Sequence, residues 1–158
     1  MERYFGEHTP KLGFGLMRLP KRADGTIDME QTKQMVDKFL EAGFTYFDTA
    51  YGYLGGKSEE AVKTALVDRY PRESFQLATK LPAWAGAQTA GEAKEMLQTS
   101  LRRTGAGYFD FYLLHNVGGV RTAKFDEYGM WDFVKQKKEE GLVRHWGFSL
   151  HDGPEALD

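Results

Sequence analysis

The chain has 158 residues, of which 41% are hydrophobic and 14% aromatic, so it can bury a sizeable core and is short enough for a single domain. Its formal net charge of −2 gives no electrostatic footprint for nucleic acid or an anionic membrane. Zero cysteines exclude disulfides and thiolate metal sites from these residues, and no segment has the apolar length of a membrane span or signal peptide. We therefore expect a cytoplasmic protein.

Apolar, strand-like runs alternate with helical segments along the chain. Near-continuous apolar strands that alternate with amphipathic helices are typical of a parallel sheet covered by helices. The sequence therefore predicts an α/β fold with five strands, centred near Leu12, Thr45, Leu77, Phe111 and His145.

The first two predicted helices follow the first two strands. Asp28 and Gln31 resemble a capping box, and Gly43 closes the first helix in a left-handed conformation. The second helix is predicted to begin with Ser58 as its N-cap and to end before Pro71. The apolar positions of the first helix recur on one face, at Thr32, Met35, Val36, Phe39 and Leu40.

Two more complete helices are predicted, and the start of a fifth. Thr89 and Glu92 cap the third helix, which runs to Gly105, and a fourth is expected over residues 126–140. A further capping box, Asp152 with Glu155, announces a fifth helix, yet the sequence stops at Asp158. We expect a fragment of something longer, truncated as its fifth helix begins; the alternative is an accidental signal in a fraying tail.

Chemically active side chains recur at a fixed period along the chain. Intervals of 33, 32, 35 and 34 residues separate Gly15, Asp48, Lys80, His115 and Ser149. Such a period indicates a repeated structural unit. Each residue lies at or just beyond the end of an apolar run, and ligands of parallel α/β folds gather at the carboxyl ends of the strands. The sequence predicts one shared site.

The residues suggest a proton donor aimed at an oxygen that gains negative charge. A tyrosine hydroxyl ordinarily titrates near 10, so it needs a neighbouring cation such as Lys80 to act as an acid at neutral pH. Asp48 can keep that ammonium charged and oriented, and His115 can bind a carbonyl oxygen. Tyr51 and Tyr53 share one loop, and the residues alone do not select between them. Hydride for the carbonyl carbon would come from a nicotinamide.

Several segments, distributed along the whole chain, together resemble the aldo-keto reductase family. The match is in residues 11–20 (KLGFGLMRLP), 47–53 (FDTAYGY), 56–60 (GKSEE), 78–80 (ATK), 110–115 (DFYLLH) and 143–149 (VRHWGFS). The resemblance implies an eight-stranded (β/α)8 TIM barrel, of which this chain supplies an incomplete part with about five parallel strands and four helices. It also implies reduction of aldehydes or ketones to alcohols with NADPH, or NADH as the alternative, and a small-molecule carbonyl substrate.

The resemblance assigns roles to individual residues. The family's Asp-to-Tyr spacing selects Tyr53 as proton donor, with Lys80 and Asp48 tuning it and His115 orienting the carbonyl. Trp84 would line the substrate pocket with His115. The residues expected beside the cofactor are Gly15, Met17, Arg18, Asp48 and Ser149.

Two features depart from the family pattern, and a third is similar to one branch of the family. Leu150 stands where relatives commonly have an asparagine that holds the nicotinamide carboxamide. The segments around Met17 and Phe148 resemble a branch that often carries a C-terminal iron–sulfur segment, which implies such a cluster in a segment following Asp158. A β/α barrel typically takes about 250 residues, so three strands and the loops that bind the cofactor's phosphate would lie beyond this sequence.

Two other functions compete with the reductase. Lys80 could serve a lyase as a Schiff-base nucleophile, although a carboxylate neighbour favours the charged ammonium, which is not nucleophilic. An open five-stranded sheet could instead make the chain a non-catalytic interaction module that self-associates or pairs with a missing C-terminal half. No metal site is predicted, and His8, His145 and His151 receive no role.

Overall fold

The computed structural model describes residues 9–153 and Glu155. His8 lies outside the described residues, as does most of the fifth helix predicted after Asp152. Within the described part of the chain, no helix is long and apolar enough to cross a lipid bilayer.

The five predicted strands form one parallel sheet in chain order. The register aligns Gly15 with Asp48 and Asp48 with Ala78, while Lys80 pairs with Leu113. The strands are β1 (Gly13–Gly15), β2 (Tyr46–Asp48), β3 (Gln76–Leu81), β4 (Phe109–Val117) and β5 (Val143–Leu150). This α/β sheet, with helices between successive strands, confirms the predicted fold class.

Five α-helices join the strands, one more than predicted. They are α1 (Met29–Glu41), α2 (Lys57–Val62), α3 (Ala90–Thr104), α4 (Val120–Glu127) and α5 (Met130–Glu139). A π-helical segment, Lys63–Val67, continues α2, and short 3-10 turns occupy Tyr53–Gly56 and Arg72–Ser74.

The caps predicted for α1 and α3 are present. The Asp28 carboxylate accepts a hydrogen bond from the Gln31 amide, and the Thr89 hydroxyl accepts one from the Glu92 amide. Gly43 and Gly105 have φ values of 83° and 64°, the left-handed conformation that ends a helix with little steric cost. Of the apolar face predicted for α1, Met35 is the exception, because 39% of it is exposed.

Two other helix predictions were wrong. Ser58 does not cap α2: the helix begins at Lys57, and the buried Ser58 hydroxyl donates to the carbonyl of Leu16 instead. The helix predicted over residues 126–140 begins only at Met130, as α5, because Gly129 has a φ of 63°; residues 126–127 end a separate helix, α4, which the sequence did not predict. A left-handed residue cannot continue a right-handed helix, so the chain turns there.

The two faces of the sheet carry different side chains. Alternate positions on a strand point to opposite faces, so Phe47, Leu77 and Tyr112 lie on the face covered by the helices, and all three are fully buried. Paired residues across the sheet share a face. Asp48, Lys80 and His115 therefore lie on the other face, near the carboxyl ends of β2, β3 and β4.

Candidate active site

An ion pair between neighbouring strands forms the centre of the site. Lys80 on β3 is 6% exposed, and its ammonium lies 2.5 Å from the Asp48 carboxylate at the end of β2. It also donates to the carbonyl of Thr49 at 2.8 Å. A buried ammonium needs acceptors for its three protons, and these two contacts satisfy most of that need. The sequence placed Lys80 at the end of its strand; β3 continues for one more residue.

The Tyr53 hydroxyl completes the surroundings of that ammonium. Lys80 Nζ donates to Tyr53 Oη at 3.3 Å and lies 4.8 Å from the centre of the tyrosine ring. Because a charged ammonium has no lone pair, the phenol oxygen must be the acceptor. The hydroxyl proton of Tyr53 is therefore left available to another acceptor.

The structure separates the two tyrosines that the sequence alone could not distinguish. The Tyr51 ring packs under Arg103, with the guanidinium carbon 4.4 Å from the ring centre, while its backbone amide donates to the carbonyl of Lys80. Tyr53, two residues later, has its hydroxyl beside the Lys80 ammonium. Of the two hydroxyl groups, the one within hydrogen-bond distance of that cation is that of Tyr53.

His115 on β4 lies beside Tyr53, at an edge-to-face angle of 81° and a ring-centre distance of 5.8 Å. Burial, with smaller contributions from the Lys80 and His151 charges, lowers the pKa of His115 to about 4. The imidazole is therefore neutral at pH 7, with one nitrogen as donor and one as acceptor. Its Nδ1 is buried without a hydrogen-bond partner among the described residues.

Trp84 lies in the loop after β3, next to the histidine that the sequence assigned to the substrate. Its indole nitrogen donates to the carbonyl of His115 at 2.6 Å, and the two ring centres are 6.4 Å apart. The ring remains 37% exposed. Trp84 is thus fixed in orientation while keeping an apolar face open beside His115.

The predicted cofactor residues occupy the same end of the sheet. Gly15 aligns with Asp48, and a Cβ placed on it would have no atom within 4 Å. Met17 and Arg18 are exposed in the loop after β1. On β5, the Ser149 hydroxyl accepts a hydrogen bond from the backbone amide of Asn116 at 2.8 Å.

Asn116 is a polar residue that the sequence analysis missed. It has a φ of 58°, within an irregularity of β4 between Leu114 and Val117, and its side-chain oxygen is buried without a partner among the described residues. The sequence feature that could have identified Asn116 is its polar side chain, which directly follows His115 at the end of an apolar run. A buried, unpartnered acceptor in native structures calls for an explanation, such as a ligand.

A cavity of about 510 Å³ lies between the loop after β1 and helix α2. None of Asp48, Tyr53, Lys80 and His115 lines it; its wall is formed by Lys21, Gly25, Thr26, Ile27, Met29, Leu54, Lys57, Glu60, Ala61 and Thr64. The four side chains therefore meet outside this cavity.

Comparison with known proteins identifies the family. Residues 11–158 match the model of the aldo/keto reductase family. The chain belongs to the aldo/keto reductases. The resemblance drawn from the sequence motifs is confirmed, whereas the role of each site residue stays a prediction.

Curated relatives of this aldo/keto reductase include bacterial oxidoreductases. It is 31% identical over 147 residues to the uncharacterized oxidoreductase YqkF of Bacillus subtilis, covering 88% of this chain and 44% of that protein. It is 32% identical over 146 residues to methylglyoxal reductase DkgA of Yersinia pestis, covering 91% and 46%. The chain thus spans less than half the length of these relatives.

A solved structure shares the fold. The aldo-keto reductase from Klebsiella pneumoniae in complex with NADPH superposes with a TM-score of 0.72 at 30% identity, covering 94% of this chain and 48% of that one. The five-stranded sheet is therefore part of a TIM barrel. These comparisons give no support for the iron–sulfur cluster that the branch resemblance suggested.

Proposed function

We propose that this aldo/keto reductase uses NADPH to reduce a small aldehyde or ketone to an alcohol, with Tyr53 as the proton donor. The observation that carries the proposal is the hydrogen bond from Lys80 Nζ to Tyr53 Oη. It places a cation against the oxygen that becomes negative when the proton leaves. Stabilising charge as it develops is among the largest contributions to catalysis.

Asp48 and Thr49 hold the cation in place. Their oxygens accept two of the three ammonium protons at 2.5 and 2.8 Å, which directs the third toward Tyr53. The three acceptors engage all three protons of the ammonium in hydrogen bonds. The same geometry disfavours a Schiff-base lyase, because that reaction needs a lone pair on the Lys80 nitrogen.

His115 orients the carbonyl in this proposal. As a neutral imidazole it can donate one hydrogen bond to the carbonyl oxygen without competing with Tyr53 for the role of acid. With the Tyr53 hydroxyl it would form a two-donor site for that oxygen. The exposed face of Trp84 would pack against the apolar part of the substrate.

The residues present fit a nicotinamide. A carboxamide offers both a donor and an acceptor, and the site supplies the unpartnered oxygen of Asn116 and a Ser149 hydroxyl that still has its own proton to donate. Gly15 leaves open space, and we propose that Met17, Arg18 and Asp48 lie beside the cofactor with it. When bound, a reduced nicotinamide supplies hydride to the carbonyl carbon.

The relatives support the class of substrate and the choice of cofactor. One is named a methylglyoxal reductase, which is an enzyme for a small dicarbonyl compound, and one solved neighbour is a complex with NADPH. We therefore favour NADPH over NADH and a small aldehyde over a bulky ketone.

The proposal is tested by mixing the purified full-length protein that contains this chain with NADPH and methylglyoxal and following the nicotinamide absorbance. We expect oxidation of NADPH that depends on the carbonyl compound and yields an alcohol in equal amount. NADH serves as the comparison cofactor. If neither cofactor is consumed across a panel of small aldehydes, the proposal is wrong.

A further inference from the structure

A buried charge lies behind the loop that carries Tyr53. Glu59 on α2 is fully buried, and its carboxylate accepts a hydrogen bond from Thr79 Oγ1 at 2.8 Å and pairs with Arg103 at 3.2 Å. A buried ion pair is weak evidence for stability, because the cost of removing both charges from water can exceed their attraction. A role in placing other residues would account for it.

Arg103 holds the loop at both ends. From α3, its guanidinium donates to the carbonyl of Tyr51 at 3.0 Å and covers the ring of that tyrosine. At the other end, a Cβ on Gly56 would lie 2.8 Å from the guanidinium carbon, so the backbone there is in close contact with Arg103.

The loop between these two contacts has an unusual conformation. Leu54, Gly55 and Gly56 have φ values of 53°, 65° and 89°, three consecutive residues in the left-handed region. A leucine there is disfavoured by about 1–2 kcal/mol and persists only where its surroundings hold it. Tyr53 directly precedes this turn, so the position of its hydroxyl group depends on how rigidly the turn is held.

Glu59 also contacts the strand that carries the cation. Thr79, its hydrogen-bond partner, directly precedes Lys80 on β3. The Glu59–Arg103 pair therefore touches the two segments whose side chains meet at the hydrogen bond between Lys80 and Tyr53. That bond, at 3.3 Å, is long for a hydrogen bond between a charged donor and an oxygen, so a small displacement would break it.

We propose that Glu59 and Arg103 are positioning residues that hold the Tyr53 hydroxyl against the Lys80 ammonium. They act through Thr79 on one side and through Tyr51 and Gly56 on the other. The inference rests on the proposed function, because the bond they maintain is the one that would make Tyr53 an acid.

The first test is the kinetics of Arg103→Lys. Lysine keeps a positive charge opposite Glu59 but lacks the planar fork that reaches Tyr51 and packs on its ring. We expect a folded protein whose kcat falls about tenfold or more, since a displacement near 1 Å can cost a large factor in rate. The KM should stay within about twofold. The control is Arg102→Lys, whose exposed pair with Glu95 faces solvent; it should leave both constants unchanged.

The second test does not depend on activity. Tyrosine labelled with ¹³C at Cζ reports the surroundings of each hydroxyl by NMR, and Tyr53→Phe assigns the resonance by removing it. We expect Arg103→Lys to shift the Tyr53 resonance and Arg102→Lys to leave it in place. If Tyr53→Phe still reduces carbonyls normally, the proposed function is wrong, while the resonance still decides whether Arg103 positions Tyr53.

If Arg103→Lys does not fold, Thr79→Val is the variant that tests the proposal. Valine has the shape of threonine but cannot donate to Glu59, so the same shift of the Tyr53 resonance is expected in a folded protein. An unchanged resonance in a folded variant would overturn the proposal. So would a variant that loses stability yet keeps the wild-type kcat per folded molecule, because that result describes a purely structural ion pair.

Discussion

In the proposed reaction Asp48, Lys80 and Tyr53 act as one unit, because their side chains are joined by successive hydrogen bonds. The Asp48 carboxylate accepts a hydrogen bond from the Lys80 ammonium and orients it, and the ammonium donates to the phenol oxygen. The hydroxyl proton is thereby left for a substrate. A lysine or tyrosine at these positions without the others would be an ordinary polar residue.

His115 makes the stability of the protein depend on pH. Its pKa in the fold is about 4, whereas an unfolded histidine titrates near 6.5. The unfolded chain therefore binds a proton first, so the stability contributed by the neutral imidazole is present above pH 6.5 and lost as the pH falls toward 4. When the pH is lowered from 7 to about 4.5, we expect the free energy of unfolding to fall less in His115→Gln than in the wild type.

Urea unfolding at several pH values in that range measures this difference. Titratable groups that do not interact with His115 contribute alike to both curves, so the gap between the curves reports His115 together with the charges coupled to it. Parallel curves would show that burial of His115 has no effect on its protonation.

The site could be predicted from the sequence only in part. Asp48, Lys80 and His115 were predictable because each follows an apolar run in a repeated βα unit. The contact between Glu59 and Arg103 was not, because the two residues are 44 positions apart and both occur in helices where charged residues ordinarily face solvent. Their contact depends on how α2 packs against α3.

At the scale of the elements, capping motifs predicted the helix ends correctly where the hydrogen-bond partner lies only a few residues away in the sequence. The caps of α1 and α3 involve residues three positions apart, which the sequence displays directly. Serine is a residue type that often caps helices, but the Ser58 hydroxyl donates a hydrogen bond to the carbonyl of Leu16, 42 residues earlier. The break at Gly129 was missed because a lone glycine in a helical pattern is compatible with both continuation and termination.

The glycines at the two ends of α3, Gly91 inside its first turn and Gly105 just after its last residue, should respond oppositely to alanine. Gly105 has a φ of 64°, which alanine adopts only with strain, so Gly105→Ala should destabilise the protein by about 1 kcal/mol. Gly91, in the first turn of the same helix, has ordinary contacts around a Cβ, so Gly91→Ala should stabilise it by up to about 1 kcal/mol. Thermal unfolding of both variants checks the signs, and equal shifts would contradict the role given to Gly105.

At the scale of the whole molecule, the two ends of the sheet have different tasks. The carboxyl ends carry the candidate active site, and the amino ends carry an ion cluster centred on a buried carboxylate. Asp110 at the start of β4 is 3% exposed and pairs with Arg72 at 2.6 Å and Arg144 at 2.9 Å. In β/α barrels the amino-terminal face serves stability rather than catalysis.

Asp110→Asn should separate these tasks. The variant leaves two guanidinium groups without their carboxylate, and breaking a buried pair in this way typically costs about 3–5 kcal/mol. We expect a lower midpoint of urea unfolding and an unchanged kcat per folded molecule. A loss of kcat in fully folded Asp110→Asn would show that the two ends are coupled.

The open sheet leaves β1 and β5 as its outer strands. Self-association through them, or pairing with a C-terminal half, stays a prediction from the sequence. Confinement to the cytoplasm and the division of the chain as one domain likewise stay predictions.

The central claim is that Tyr53, and not Tyr51, donates the proton to the carbonyl oxygen. The most direct measurement compares the kcat for reduction of methylglyoxal with NADPH in Tyr53→Phe and Tyr51→Phe, each removing one hydroxyl from the same loop. We expect Tyr53→Phe to lower kcat by about 10²- to 10⁴-fold, the usual contribution of a positioned acid, and Tyr51→Phe to keep most of the activity. A large loss in Tyr51→Phe with an active Tyr53→Phe would contradict the account.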